Sequence, residues 1–289
     1  MKFVKYESKK DFLNENLEIL LKEEYKNELM LGIVLEHNDE KVNNWFLGRI
    51  ENNNEVKMVF LADDDKQGLL FYCPTGDISK EEIEFFVDNI VNLNINLDQV
   101  FGDKKFSSII AESYVEKSKK IIIENSIIYT LALKKLKQEH VLEENEKLIK
   151  LNFENSDMGK MSQIVKDIHT DISGVEACSD EEALRIANIY LKKGLYILTD
   201  NSEENVFCHA VTVRKQINGC TIGAVISPQE FRGKGYGKKC IYALSKRLLE
   251  EGYNYITLHV LSTNEAAKSV YEKVGFEFIE ETERFVFNK

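Results

Sequence analysis

The apolar periodicities predict an α/β (α+β) protein of two domains, each a mixed, largely antiparallel sheet flanked by helices. Three observations carry that expectation. The chain has 289 residues, and single hydrophobic cores stop growing near roughly 250–300 residues. Stretches with three- and four-residue apolar spacing are interleaved with short β-rich runs separated by turn residues. The second half then repeats the helix, strand and turn order of the first. A composition of 43% hydrophobic and 30% charged residues supports a substantial core and excludes disordered, collagen-like and solenoid classes.

In chain order, Phe12, Leu13, Leu17, Leu20, Leu21 and Tyr25 form the stripe of a first helix. Residues 45–50, 56–62 and 68–72 read as a meander of three antiparallel strands, with Asn-rich 51–54 and Asp-rich 63–66 as turns. Ser79 opens a helix, with Glu82 placed as its capping-box partner and Ile83, Phe86, Val87 and Ile90 as its stripe. Residues 127–134 read as a strand. The charged stretch 135–147 lacks an apolar stripe and marks the expected boundary, giving domains 1–140 and 146–289. The second half offers a strand at 148–153, helices at 158–169 and 180–192, and strands at 194–200, 206–215 and 221–227.

The charge balance, 38 Lys and Arg against 49 Asp and Glu for a net −11, leaves no basic field for gripping duplex phosphates, so no nucleic-acid partner is expected. The amino terminus intersperses lysines with acids rather than presenting a signal sequence. The most apolar run, 121–133, is shorter than the roughly 20 residues of a membrane helix. A cytoplasmic protein without a membrane partner is expected. Cysteines 73, 178, 208, 220 and 240 are odd in number and never spaced as CxxC, so reduced thiols are expected, with no disulfide framework and no metal site.

Chemistry concentrates after the strand at 221–227, in Pro228-Gln-Glu-Phe-Arg-Gly-Lys-Gly-Tyr-Gly237. A helix follows, striped by Gly237, Cys240, Ile241, Leu244 and Leu248. Glycines between a strand and a helix let the backbone approach a phosphate, and the free N–H groups of the first helical turn favour an anion by roughly 0.3–1 kcal/mol per charge. Spacing excludes two familiar versions. Five residues before Gly233-Lys234 stands Pro228, and before Gly237-Lys238 stands Arg232, so the loop is not a Walker loop. Lys238 occupies the third glycine place of a dinucleotide fingerprint.

Arg232, Gly233, Lys234, Gly235, Tyr236 and Gly237 resemble the R/Q-x-x-G-x-G/A pyrophosphate loop of the GCN5-related N-acetyltransferases, the GNAT superfamily. The resemblance extends upstream to Ala224-Val-Ile-Ser-Pro228. Downstream it takes in a strand at 255–260 and Asn264-Glu-Ala-Ala-Lys-Ser-Val-Tyr-Glu-Lys-Val-Gly-Phe276, similar to the family's N-x-x-A-x-x-x-Y-x-x-x-G-F segment. Three spaced motifs agree in order over about residues 219–279. The first half has no counterpart of the glycine loop, so the chain resembles a tandem GNAT protein with a degenerate first copy.

The resemblance implies acetyl-CoA as co-substrate. The backbone of Ala224, Val225 and Ile226 would pair with its pantetheine arm as an added strand. Residues 232–237 would donate N–H groups to the pyrophosphate, with Lys238 adding charge and Lys239 either adding charge or simply facing solvent. Asn264 is placed both as an N-cap and as a contact to the CoA arm. Tyr271 is implied as the general acid that protonates the departing thiolate, whose conjugate acid lies near the reference thiol value of about 8.5. The implied reaction is direct attack by a primary amine, on a small molecule or a peptide, in a ternary complex. The competing reading is a CoA-binding regulator or interaction protein without turnover, and self-association as a homodimer is compatible with either. No acid stands on residues 222–226 to act as base. Glu230 reads as orienting the loop, His209 and His259 as structural, and Cys208 and Cys220 have no triad around them.

Overall fold

A computed structural model describes residues 1–36, 45–63, 68–137, 139–154, 156–173 and 178–288. The expected turn at 63–66 lies, beyond its first residue, outside the described residues. The chain forms two compact units. One comprises Met1–Thr130 with Val260–Thr263 and Phe278–Lys289, the other Leu131–His259 with Asn264–Glu277.

The first unit opens with β1 (Lys2–Tyr6), α1 (Lys9–Leu21) and α2 (Glu28–Glu36). The meander follows as β2 (Trp45–Asn52), β3 (Glu55–Asp63) and β4 (Gly68–Tyr72), then α3 (Lys80–Asn92), β5 (Gln99–Asp103), α4 (Lys104–Ser118) and β6 (Ile122–Leu133). Asn53 and Asn54 both adopt positive φ, 50° and 64°, the geometry that joins β2 to β3 without splaying the strands. At α3 the Ser79 hydroxyl accepts from Glu82 N–H at 3.2 Å while the Glu82 carboxylate accepts from Ser79 N–H at 2.8 Å. The capping box is complete. Ile83, Phe86, Val87 and Ile90 are buried on the face α3 turns to the sheet, each contributing roughly 1.5–3 kcal/mol by burial. Ile110, Ala111 and Tyr114 of α4 share that core, while α1 and α2 bury Phe12, Leu20, Leu31 and Val34 in a second apolar cluster with Leu47, Val59 and Leu61.

The second half of the chain repeats the order: β7 (Glu146–Lys150), α5 (Met158–Ser173), α6 (Asp180–Lys193), β8 (Leu195–Asp200), β9 (Val206–Lys215), β10 (Gly219–Ile226), α7 (Tyr236–Glu250), β11 (Tyr255–Leu261), α8 (Glu265–Val274) and β12 (Glu277–Phe287). All but the last strand build the second unit. Its strands lie in the order β7-β8-β9-β10-β11. Helices α5 and α6 bury Met161, Val165, Ala183, Ala187 and Leu191 against Leu195, Ile197 and Val211. Cys240, Ile241, Leu244 and Leu248 of α7 are fully buried, matching the expected stripe.

The element order is therefore duplicated, and each copy carries a mixed α/β sheet. The observed units differ from the expected division at 140 and 146 in three places: residues 131–140 belong to the second unit, and 260–263 and 278–289 belong to the first. The final strand of the second copy, β12, is a member of the first unit, where Thr282–Val286 pair antiparallel with Asp103–Gln99 of β5. Phe285 and Phe287 complete that unit's core, so burial rather than chain order decides where the strand belongs. In the first unit the strands run β1-β2-β3-β4-β5-β12-β6. Five elements had no clear sequence signal: β1, α2, β5, α4 and β12.

Candidate functional site

The site grows from an interruption in the second unit's sheet. β10 and β11 are parallel and paired only over Gly219–Thr221 and Tyr255–Thr257. The Thr221 and Thr257 hydroxyls meet there at 2.9 Å, with Gln216 donating to Thr221 at 2.9 Å. On its other edge β10 is bulged: Gly223 faces Val211, but the next pair is Ile226 with His209. The extra residue is accommodated by Ala224 at φ +50°, a left-handed conformation that costs an L-residue roughly 1–2 kcal/mol. The bulge turns the end of β10 into the wall of a cleft of about 640 Å³.

Val225, Ile226, Arg232, Gly233, Gly235, Tyr236, Gly237 and Lys238 line this cleft together with Asn264 and Tyr271 of α8. These are ten of the twelve residues singled out in the sequence. The other two point elsewhere. Ala224 packs toward the α5–α6 core, and the Lys234 ammonium lies 5.6 Å over the Phe231 ring.

Gly233 and Gly235 have φ of +74° and +87°, and a Cβ at either would meet nothing within 4 Å. Glycine is needed there for its backbone conformation and not for want of space. Gly235 is the N-cap of α7 and makes no side-chain cap hydrogen bond. The first turn of α7 thus opens on the cleft without the self-capping that closes α3. Arg232 fixes the loop by donating from Nε to the Ser227 carbonyl at 3.0 Å. Tyr236 is held by stacking on Phe207, with centroids 4.3 Å apart and planes 9° from parallel, and edge-on against Phe231. Phe207 carried no sequence signal. It sits where β9 bulges against β8, between Thr199 paired with Val206 and Leu198 paired with Cys208.

Lys239 resolves toward a structural role. Its Nζ lies 2.7 Å from Glu143 and 2.7 Å from Glu146. Burial would lower its pKa, but hydrogen bonds to those two carboxylates outweigh it and raise the pKa. Asn264 caps α8, its side-chain oxygen accepting from Ala267 N–H at 3.0 Å, while the residue also borders the cleft.

Tyr271 is 7% exposed. Burial is the main cause that pushes its phenol well above the ordinary value, with the Cys208 and Cys240 thiols adding to it. The hydroxyl therefore keeps its proton throughout the physiological range, as a proton donor must. Cys208 also borders the cleft, and the Cys240 thiol is raised by its hydrogen bond with Cys208 and by burial. The Cys240 sulfur is therefore not thiolate-like.

A second cleft of about 570 Å³ shares Ile226, Phe231 and Arg232 with the first and is walled by Lys160, Gln163, Glu204, Asn205, Gln229, Glu230 and His209. His209 is 1% exposed, both ring nitrogens lack partners, and burial lowers its pKa to about 4. It is a neutral, sealed imidazole, as the structural reading expected. Among the described residues no group of three or more His, Cys, Asp and Glu side chains is arranged to hold a metal ion. No helix among them is long and apolar enough to cross a membrane.

A bulged strand, a parallel pair that stops after three residues, and a glycine loop opening an uncapped helix onto the gap form the arrangement that the resemblance to GNAT proteins implies. Comparison with known proteins agrees. Residues 203–285 match the family of FR47-like proteins. A segment of 49 residues is 37% identical to the uncharacterized N-acetyltransferase YycN of Bacillus subtilis (strain 168), covering 17% of this chain and 31% of that protein. The match thus spans about a third of the relative's length. Over the whole chain the fold is similar to a GNAT-family acetyltransferase from Colwellia psychrerythraea, with TM-score 0.58, 14% identity and 100% of both chains covered. It is also similar to a tandem GNAT protein from the clavulanic acid biosynthesis pathway, with TM-score 0.56, 10% identity, and 99% and 97% covered. At these identities the likeness is one of fold. Residues 203–285, in the second copy, are similar to the FR47-like family, and the chain as a whole has the fold of GNAT-family structures.

Proposed function

We propose that this protein transfers an acetyl group from acetyl-CoA to a primary amine by direct attack in a ternary complex. The observation that carries the reading is the convergence on one cleft of the uncapped α7 N-terminus, the bulged end of β10 and the buried, protonated Tyr271. In this reading the N–H groups of residues 232–237 receive the pyrophosphate, and Lys238 adds charge. The unpaired stretch of β10 receives the pantetheine arm, and Asn264 contacts that arm as well as capping α8. The acceptor, a small molecule or a peptide, enters through the second cleft, so that amine and thioester meet at the shared wall of Ile226 and Phe231. The neutral amine adds to the thioester carbon, the tetrahedral intermediate collapses with cleavage of the C–S bond, Tyr271 supplies the proton to sulfur, and the proton that the acceptor nitrogen gives up passes to water, from which the phenolate is reprotonated. A cytoplasmic location suits the free thiols at positions 73, 178, 208, 220 and 240.

One observation favours a second reading, a CoA-binding regulator without turnover. β10 carries no carboxylate, and the nitrogens of His209 are sealed from solvent, so no base stands ready at the shared wall. Incubation with acetyl-CoA and a panel of mono-, di- and polyamines and peptides, following release of free thiol, separates the two. Amine-dependent thiol release supports transfer. Acetyl-CoA binding without release across the panel supports the regulator.

A further inference from the structure

Two aromatic rings bracket the glycine loop, and a third ring holds them both. Residues 232–235 are exposed, and Gly233 and Gly235 have no side chain with which to pin the turn they make. Glycines lose the most conformational freedom when a chain is ordered. Whatever fixes such a turn in advance therefore decides how much of a ligand's interaction energy survives as affinity. The fixing groups stand at the two ends of the loop. Phe231 closes the short 3-10 turn Gln229–Phe231 before it, and Tyr236 opens α7 after it.

Both rings pack on Phe207 of β9. Phe207 stacks on Tyr236 with centroids 4.3 Å apart and planes 9° from parallel, and meets Phe231 edge-on at 5.1 Å and 83°. Phe231 and Tyr236 also meet edge-on, at 5.9 Å. The three rings form a closed triangle, and the glycine loop spans one side of it. The middle of the loop is tied to the same triangle, since the Lys234 ammonium lies over the Phe231 ring. Phe207 is the inner member, 8% exposed, while its two partners are half-buried. Its place follows from the β9 bulge, which pairs Val206 and Cys208 with consecutive residues of β8 and leaves Phe207 as the extra residue between them.

We propose that Phe207 is a positioning residue for donor binding: by holding Phe231 and Tyr236 together, it keeps the glycine loop in the left-handed turn that presents the amides of residues 232–237. The assignment rests on the reading of that loop as the pyrophosphate site. Among the described residues Phe207 borders neither cleft, so it acts through the two rings and touches no ligand.

Calorimetric titration of the full chain and its variants with CoA tests this. Phe207→Leu keeps a buried apolar side chain and removes both ring contacts, and it should weaken CoA by roughly tenfold or more. Phe207→Tyr restores the ring and should restore the affinity. Val211→Ala truncates another fully buried side chain of the same strand, and it should lower Tm without changing CoA affinity. Tyr236→Leu removes the stack from its half-buried side. It should weaken CoA by itself and add nothing further to Phe207→Leu, because the two side chains act as one unit. Undiminished binding by a folded Phe207→Leu protein, an equal loss in Val211→Ala, no recovery in Phe207→Tyr, or additive losses in the double variant would each overturn the proposal. If Phe207→Leu does not fold, Tyr236→Leu decides, and undiminished CoA binding by it overturns the proposal. An unaltered chain that does not bind CoA overturns the pyrophosphate reading and this proposal with it. An unaltered chain that binds CoA, beside a Phe207→Leu protein that binds it equally, overturns this proposal alone.

Discussion

Tyr271 is a core side chain to which the proposed mechanism also gives a chemical task. Its ring lies on the buried face of α8, 5.9 Å from the Phe276 ring, and its backbone carbonyl closes the helix by accepting from Gly275 and Phe276 N–H. Tyr271→Phe keeps the ring and its contacts, so fold and acetyl-CoA affinity should be preserved while turnover falls roughly 100- to 10,000-fold. Steady-state kinetics in a regime where chemistry limits the rate checks it. Wild-type turnover by the variant would return the residue to core packing. Glu280 makes the converse case, a carboxyl whose folded-state pKa is raised by burial above its unfolded value, to about 8. Between pH 4.5 and 8 the folded state holds more protons than the unfolded state, so this group's contribution to stability falls as pH rises through that window. Glu280→Gln should therefore raise Tm at pH 8 and leave it nearly unchanged at pH 4.5. In a chain of this size ~1 kcal/mol corresponds to about 2–4 °C, and melting curves at the two pH values read the difference.

At the scale of elements, α3 and α7 occupy equivalent places in the two copies and differ at their first turns. Ser79 and Glu82 satisfy the amides of α3, whereas Gly235 leaves those of α7 to the cleft. Ser79→Ala should cost about 1 kcal/mol of stability, seen as a lower denaturation midpoint, without creating a CoA site, because no glycine loop precedes α3. This contrast was legible in sequence, as were the meander, the α7 stripe and most of the cleft lining, because each rests on a local pattern. What was not legible depends on partners distant in sequence. Gln99–Asp103 is a strand only because β4 and β12 flank it. Glu28–Glu36 is apolar on nearly every side, since Met30, Leu31, Ile33 and Val34 are all buried, and so it shows no period. Phe207 reaches Tyr236 only through a bulge, which shifts the alternation that a strand pattern relies on. A cavity where β4 and β5 end combines residues from positions 23 to 282, a grouping that no window of sequence contains.

For the molecule as a whole, the repeated element order places a cavity at the end of a parallel strand pair in each copy, and the residues that line the two differ. The membership of β12 in the first unit shows that the copies are not interchangeable pieces of chain. Its Phe285 and Phe287 fill the first core, and its Glu280 borders that unit's cavity. The central claim is that donor chemistry resides in the second copy alone. The measurement that tests it most directly is calorimetric titration of the full chain with acetyl-CoA, beside a Gly235→Asp variant that forces a side chain and a negative charge into the left-handed turn facing the phosphates. One site per chain, weakened on the order of tenfold or more in the variant, is the predicted result; two sites per chain, none, or undiminished binding by Gly235→Asp would contradict it.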